Sequence, residues 1–183
     1  MRALLLVAFV AACGGAPAAP AAAAPTTSAA PASDVAPTPY TAEQIRDSTR
    51  TVTSIEYKVE IPGKAVVRRL LRFNGANDEG VDVASQTLDE AGAPLGEPKA
   101  EHARWDELRK HAEFPWTATK IREESVTVPA GAFECTVYEV TRDGTVTTFY
   151  FAKKAPGPPV LYFTMKDGAR VMTTTMLARS VNR

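Results

Sequence analysis

The chain has 183 residues, with 21 basic and 21 acidic side chains and a formal net charge of zero. Proteins that bind nucleic acid normally present an excess of basic residues, so this balance argues against a nucleic-acid partner. The 45% share of hydrophobic residues is raised by an Ala-rich N-terminal region. The remainder, 40–183, is long enough to bury a core of its own and is expected to form a single domain.

Residues 1–12 have the pattern of a signal peptide. Met1-Arg2 is a short basic start, and an apolar run from Ala3 to Ala12 leads to Cys13. This run is too short to span a bilayer as a mature helix. Val-Ala-Ala-Cys resembles the bacterial lipobox, which implies cleavage before Cys13 and a diacylglycerol on its sulfur. An ordinary secretory signal with an incidental cysteine is the alternative.

The lipobox resemblance also implies where the protein is located. The lipid on Cys13 would be its contact with the membrane. By analogy with the sorting rule of enteric bacteria, Gly14 rather than Asp after the cysteine implies delivery to the outer membrane, facing the periplasm.

Residues 13–39 form the lipidated cysteine and a tether. The stretch 14–39 contains 11 Ala and 6 Pro among its 26 residues. Proline at this frequency interrupts an Ala helix, and few bulky apolar side chains are available for packing. We expect a disordered connection between the membrane and the domain.

The domain, 40–183, is predicted to be mainly β (α+β), an antiparallel meander of about eight or nine strands with two short helices. Such a meander forms a curved sheet or half-open barrel. Thr41 to Gln44 is a capping-box pattern that opens a first helix ending near Arg50. Trp105, Leu108 and Ala112 give a second helix, Glu101 to Ala112, one apolar face. The strands are predicted at Ile55–Ile61, Ala65–Phe73, Val81–Leu88, Ser125–Val128, Phe133–Val137, Thr145–Ala152, Pro159–Met165 and Arg170–Ala178, with a further short one in the Gly92–Pro98 loop.

A tight corner stands out between two of these strands. Pro129 has no N–H to donate and ends one strand, Gly131 supplies a positive φ, and Phe133 anchors the returning strand. Cys135 shares a strand face with Phe133, which is typical of a small buried hydrophobe rather than a reactive thiol. Beyond Tyr138 the alternation slips, which predicts a bulge or a strand leaving the core.

Motifs for catalysis or metal binding are not found in the sequence. There is no Gly-x-Ser-x-Gly, phosphate-binding glycine loop or Cys-x-x-Cys. On the predicted second helix, His102 and His111 would point in opposite directions and could not share a metal. Glu107 and His111 lie one turn apart without an apparent third ligand. We therefore predict no catalytic residues, no metal, no cofactor and no enzymatic activity.

Four motifs of the domain are distinctive, namely Trp105 to Pro115, Val128 to Cys135, Phe149 to Lys153 and Pro156 to Val160. Together they resemble a set of uncharacterised lipoproteins of Ala- and Pro-rich proteobacteria. The Val-Pro-Ala-Gly-x-Phe-x-Cys corner is also similar to one in periplasmic domains of unknown function, some of which are thought to adopt the half-barrel of the Lol lipoprotein carriers. The second resemblance implies a half-open barrel.

Two functions remain open. One is a binding or carrier module that holds an apolar or lipid ligand inside the half-barrel. The other is a structural or assembly lipoprotein that acts through an envelope protein. A cavity lined by Leu, Val, Phe and Tyr would favour the first, and a filled interior with an exposed apolar patch would favour the second.

Overall fold

The computed structural model of the chain describes residues 33–181. It is mainly β, with nine antiparallel strands in one unclosed, curved sheet and two short α-helices. The predicted fold class is confirmed. The elements are α1 (Ala42–Thr49), β1 (Val52–Glu60), β2 (Val67–Asn74), β3 (Gly80–Leu88), β4 (Lys99–Arg104), α2 (Trp105–Lys110), a 3-10 turn (Trp116–Ala118), β5 (Thr119–Val128), β6 (Gly131–Arg142), β7 (Thr145–Ala152), β8 (Leu161–Lys166) and β9 (Ala169–Val181).

The sheet consists of two meanders that meet at its centre. Its spatial order is β4-β3-β2-β1-β9-β8-β7-β6-β5. Within each meander, strands that follow one another in the chain are also neighbours in space. The central pair joins the first and last strands, with Val59 opposite Thr174. The sheet also curls. Although three strands separate β5 from β9, Ala130 N at the β5–β6 corner donates to Met176 O of β9 at 3.4 Å.

Asp-Gly pairs, a sequence signal that predicts β-hairpins, occur at 143–144 and 167–168, and both form hairpins. Asp143 and Gly144 have φ of 49° and 72°, and Asp167 and Gly168 have φ of 50° and 76°. Positive φ at both central residues is the geometry of a type I′ turn, whose twist matches that of the flanking strands. These turns fix the register of β6 with β7 and of β8 with β9.

The predicted start of α1 is confirmed as well. Gln44 N donates to the Thr41 hydroxyl at 3.1 Å, and Thr41 N donates to Gln44 Oε1 at 2.9 Å. This reciprocal capping box satisfies two of the otherwise unpaired donors at the start of the helix. The helix ends at Thr49, with Arg50 as its C-cap.

Strands β6 and β7 are buried on both faces. Val137 and Tyr150 pack in one core cluster, with Met176 of β9, whereas Tyr138 and Phe151 pack in a second cluster. Consecutive strand residues point to opposite faces, so both faces of these strands are covered. The pairing of β6 with its neighbours is continuous. The prediction of a bulge or a departing strand after Tyr138 is therefore wrong, and two-sided burial explains the lost alternation.

The second helix is shorter than predicted. Lys99–Arg104 is a strand, and the helix begins only at Trp105 and ends at Lys110. In β4, His102 lies opposite Asp82 of β3, and its Nδ1 is 2.8 Å from Asp82 Oδ1. Pairing with β3 thus overrides the local helical pattern at the start of the predicted Glu101–Ala112 helix. The apolar helix face is present, since Trp105 and Ala112 are buried and Leu108 packs against them.

The domain also begins earlier than Tyr40. Ala36 is buried, its N donates to Phe114 O at 2.8 Å, and the Tyr138 hydroxyl donates to Pro37 O at 2.7 Å. Residues 34–39 of the predicted tether therefore belong to the folded domain. Residues 1–32, which comprise the predicted signal peptide and most of the predicted tether, lie outside the described residues.

Candidate functional site

A cavity of about 540 Å³ lies between the sheet and the two helices. This volume falls within the range of about 300–1,000 Å³ that is typical of small-molecule sites. The helices supply Ile45, Thr49 and Leu108, among others. The strand residues in its wall are Tyr57, Val59, Arg69, Leu71, Phe73, Val83, Ser85, Glu101, Phe149, Phe151, Tyr162 and Thr174.

One wall of the cavity is a row of aromatic rings. Phe149 is stacked between Phe114 and Tyr162, with ring centroids 5.1 and 5.8 Å away. Phe151 lies beside Phe149 on the same strand face, 6.1 Å between centroids. Stacked rings at these distances support one another and form a stiff apolar surface. Phe149 and Phe151 are thus both core residues and cavity wall.

Two tyrosine hydroxyls in the wall are already engaged. The Tyr40 hydroxyl donates to Ala152 O at 2.7 Å, and the Tyr57 hydroxyl donates to Pro159 O at 3.1 Å. Burial raises the pKa of both phenols well above the ordinary value. Both groups are therefore neutral at physiological pH and leave little polar surface on this part of the wall.

The charged wall residues lie on the exposed side of the cavity. Arg69, Glu101 and His111 are exposed, and Arg109 is half-buried with its guanidinium 2.7 Å from a carboxylate oxygen of Glu113. The cavity is consequently amphipathic, with a charged rim and an apolar interior. This is the distribution expected where an apolar ligand enters from water.

A small hollow of about 10 Å³ adjoins the cavity. It has room for about one water-sized group. Thr49, Phe73, Gly157 and Pro158 line both spaces, so the hollow and the cavity are neighbours separated only by these residues. Its wall also contains Arg179 of β9.

The residues predicted to form the structural corner lie together between β5 and β6, away from the large cavity. Pro129 is exposed in the turn, and Gly131 has a φ of 137°. Phe133 is half-buried and borders the small hollow. Cys135 is buried, and burial raises the pKa of its thiol to about 11. Cys13, the predicted lipidation site, lies outside the described residues.

The two histidines lie on different elements and not on one helix as predicted. His102 is on β4 beside Asp82, and His111 is the C-cap of α2. Within residues 33–181, no group of three or more His, Cys, Asp or Glu side chains is placed to hold a metal ion.

The sequence did not reveal the cavity or the position of Arg179 beside it. Tyr57 and Val59, like Phe149 and Phe151, lie on predicted strands, but the strand pattern did not predict the empty space that these side chains line. The large aromatic side chain of Trp116, a residue type usually buried, is 38% exposed. Arg179 had no sequence signal, since a bulge in the β1–β9 pairing interrupts the alternation near it.

Comparison with known proteins gives a fold but no family. No family model and no curated protein matches the chain. A crystal structure of MucB is similar with a TM-score of 0.53 and 13% identity, over 77% of this chain and 57% of the MucB chain. A Bacteroides fragilis protein described as exported, with a YmcC-like fold, aligns with a TM-score of 0.43 and 11% identity, over 69% of this chain and 94% of that one.

The similarity to MucB shows a shared fold, and the chain spans little more than half the length of the MucB structure. None of the helices in residues 33–181 has the length and apolar character needed to cross a bilayer.

Proposed function

We propose that this protein is a lipoprotein of the cell envelope that binds an apolar or lipid ligand in the cavity between its sheet and its helices. The cavity carries the proposal. An interior filled by side chains would have favoured an assembly role, whereas here about 540 Å³ remains open behind an aromatic and aliphatic wall. Burial of an apolar ligand against such a wall stabilises the complex in proportion to the area removed from water.

The proposed location rests on the N-terminal sequence. Cys13 would carry the lipid that anchors the protein in the outer membrane, and the domain would face the periplasm. The proposed role includes no chemical step and requires no cofactor. Binding followed by release to another site would make the protein a carrier.

A cavity-filling substitution tests this proposal. Leu71 lines the cavity, whereas Leu70, its equally half-buried neighbour, points to the opposite face of β2. Leu71→Trp should lower the affinity for an uncharged fluorescent probe such as N-phenylnaphthylamine by about tenfold or more, a change of about 1.4 kcal/mol or more. Leu70→Trp is the matched control and should change the affinity by less than about twofold.

The two variants and the parent should be compared by fluorescence titration after their thermal unfolding has been shown to be cooperative. Equal probe affinity in all three proteins would contradict binding in the cavity. A parent protein that does not bind the probe or any alkyl ligand would contradict the proposed function itself.

A further inference from the structure

The small hollow contains a basic side chain that has no carboxylate partner among the residues that the structure describes. Arg179 lies opposite Ile55 in the β1–β9 pairing, and both residues line the hollow. Its Nη2 donates to the Ser48 hydroxyl of α1 at 2.8 Å. A guanidinium has five N–H donors, so this single bond leaves most of its hydrogen-bonding capacity unused.

Arg179 differs in this respect from the other half-buried basic residues of the described chain. Each of the others, namely Arg46, Lys58, Arg68 and Arg109, has a carboxylate oxygen within 3.2 Å. Among residues 33–181, no carboxylate lies within 4.0 Å of the Arg179 guanidinium. Removing a cation from water without an opposite charge is unfavourable, and burial accordingly lowers the pKa of Arg179.

The position of this cation is suited to one end of an amphiphile. The hollow shares Thr49, Phe73, Gly157 and Pro158 with the large apolar cavity, so Arg179 lies just beyond the wall at this end of the cavity. A ligand whose end displaces these side chains would reach it. With about 10 Å³ of space, the hollow has room for a group of about the size of one water, such as a carboxylate oxygen. A phosphate, with more oxygens than a carboxylate, needs more additional space than a carboxylate does.

We propose that the ligand is an anionic amphiphile of the fatty-acid class, whose carboxylate binds Arg179 while its alkyl chain occupies the cavity. This inference rests on the proposed function and adds the chemical class of the ligand. The carboxylate accepts hydrogen bonds from the guanidinium and supplies the missing opposite charge. The aromatic wall contacts the chain.

Matched ligands of the same chain length test the inference. Without a cation, the uncharged alcohol decanol should bind more tightly than decanoate, because burying a carboxylate is costly. With Arg179 as its partner, we expect the full-length protein to bind decanoate at least about tenfold more tightly than decanol, measured by isothermal titration calorimetry. The direction of the preference is therefore diagnostic.

Substitutions of single arginines then show which side chain causes the preference for decanoate over decanol. Arg179→Met should lower the affinity for decanoate by about tenfold and leave that for decanol within about twofold. Arg69→Met tests the other candidate cation, since Arg69 also lines the cavity, but at its exposed rim. It should keep the preference. Arg179→Lys retains the charge and should retain part of the preference.

Each result is decisive. Decanol binding as tightly as decanoate to the parent protein would overturn the inference while leaving the proposed function in place. A preference abolished by Arg69→Met but kept by Arg179→Met would also overturn it. If neither ligand binds, both the inference and the proposed function fail. If Arg179→Met does not fold, the comparison of the two ligands on the parent and on Arg179→Lys still decides.

Discussion

Replacing Gly131 with alanine tests whether the β5–β6 corner stabilises the fold. Gly131 has a φ of 137°, a conformation that glycine adopts and residues with a Cβ avoid. Space is not the obstacle, because an added Cβ would lie 3.8 Å from the ring of Phe133, an ordinary van der Waals distance. The cost therefore comes from the backbone, and Gly131→Ala should lower the free energy of unfolding by about 1–3 kcal/mol.

A second substitution separates backbone strain from packing. A fully buried phenylalanine replaced by alanine costs about 3–5 kcal/mol, so the half-buried ring of Phe133 should cost about half of that, roughly 1.5–2.5 kcal/mol. The two costs have different physical origins. Because the added Cβ would meet the ring only at an ordinary contact distance, the coupling in the double variant should stay below the roughly 0.5–3 kcal/mol that is typical of interacting neighbours.

Urea denaturation followed by circular dichroism measures all three values. Ala132→Val is the control, because Ala132 is exposed in an extended strand, and its effect should stay within about 0.5 kcal/mol. If the double variant loses clearly less than the sum, contact with the ring is the cause of the Gly131→Ala cost. A Gly131→Ala variant as stable as the parent would refute the backbone argument.

Three further predictions concern the anchor, the start of the domain and the buried thiol. Cys13→Ala should leave the protein soluble or uncleaved, and membrane fractionation like that of the parent would contradict the lipid anchor. A chain starting at Ser33 should unfold like one starting at Gly14. A chain starting at Tyr40 loses three hydrogen bonds to the domain, those of Asp34, Ala36 and Pro37, and should be less stable by about 1.5–4.5 kcal/mol. Equal stability would show that those contacts are unimportant. Burial raises the pKa of Cys135 from 9.0 to about 11. The stabilisation of the fold that is linked to this shift is therefore fully present below about pH 9 and is lost as the pH rises through 11. This stabilisation amounts to at most about 3 kcal/mol. Cys135→Ala should therefore reduce the loss of stability between about pH 9 and pH 11. A pH profile of unfolding that is the same in the parent and the variant would argue against the raised pKa.

The local features of the fold were predictable because neighbouring residues determine them. The Asp-Gly turns and the Thr41 capping box are encoded within a few residues of each other, and both have the predicted form. Strand β7 even has its predicted limits, Thr145–Ala152. The start of the second helix was not predictable in this way, because β4 exists only through its pairing with β3.

The candidate site depends on contacts between distant parts of the chain. Pairing of β1 with β9 brings Arg179 next to Ile55, and the helices leave a space over the sheet that no run of residues encodes. Alternation predicts which side chains face inward, but it does not predict whether their facing partners meet. For this reason the sequence predicts that the aromatic residues of a strand such as β7 face the core, but it does not predict their second role as a cavity wall.

Native mass spectrometry of the protein, gently extracted from its own membranes, tests the binding proposal most directly. The account predicts a population carrying an additional, noncovalently held mass, released on activation as an ion with the composition of a carboxylate-bearing lipid. After removal of that ligand, the protein should take up decanoate with one-to-one stoichiometry, and Leu71→Trp should take up clearly less at the same concentration. A protein that has only the mass of its covalent chain and anchor, and that takes up no alkyl ligand when one is added, would contradict the account.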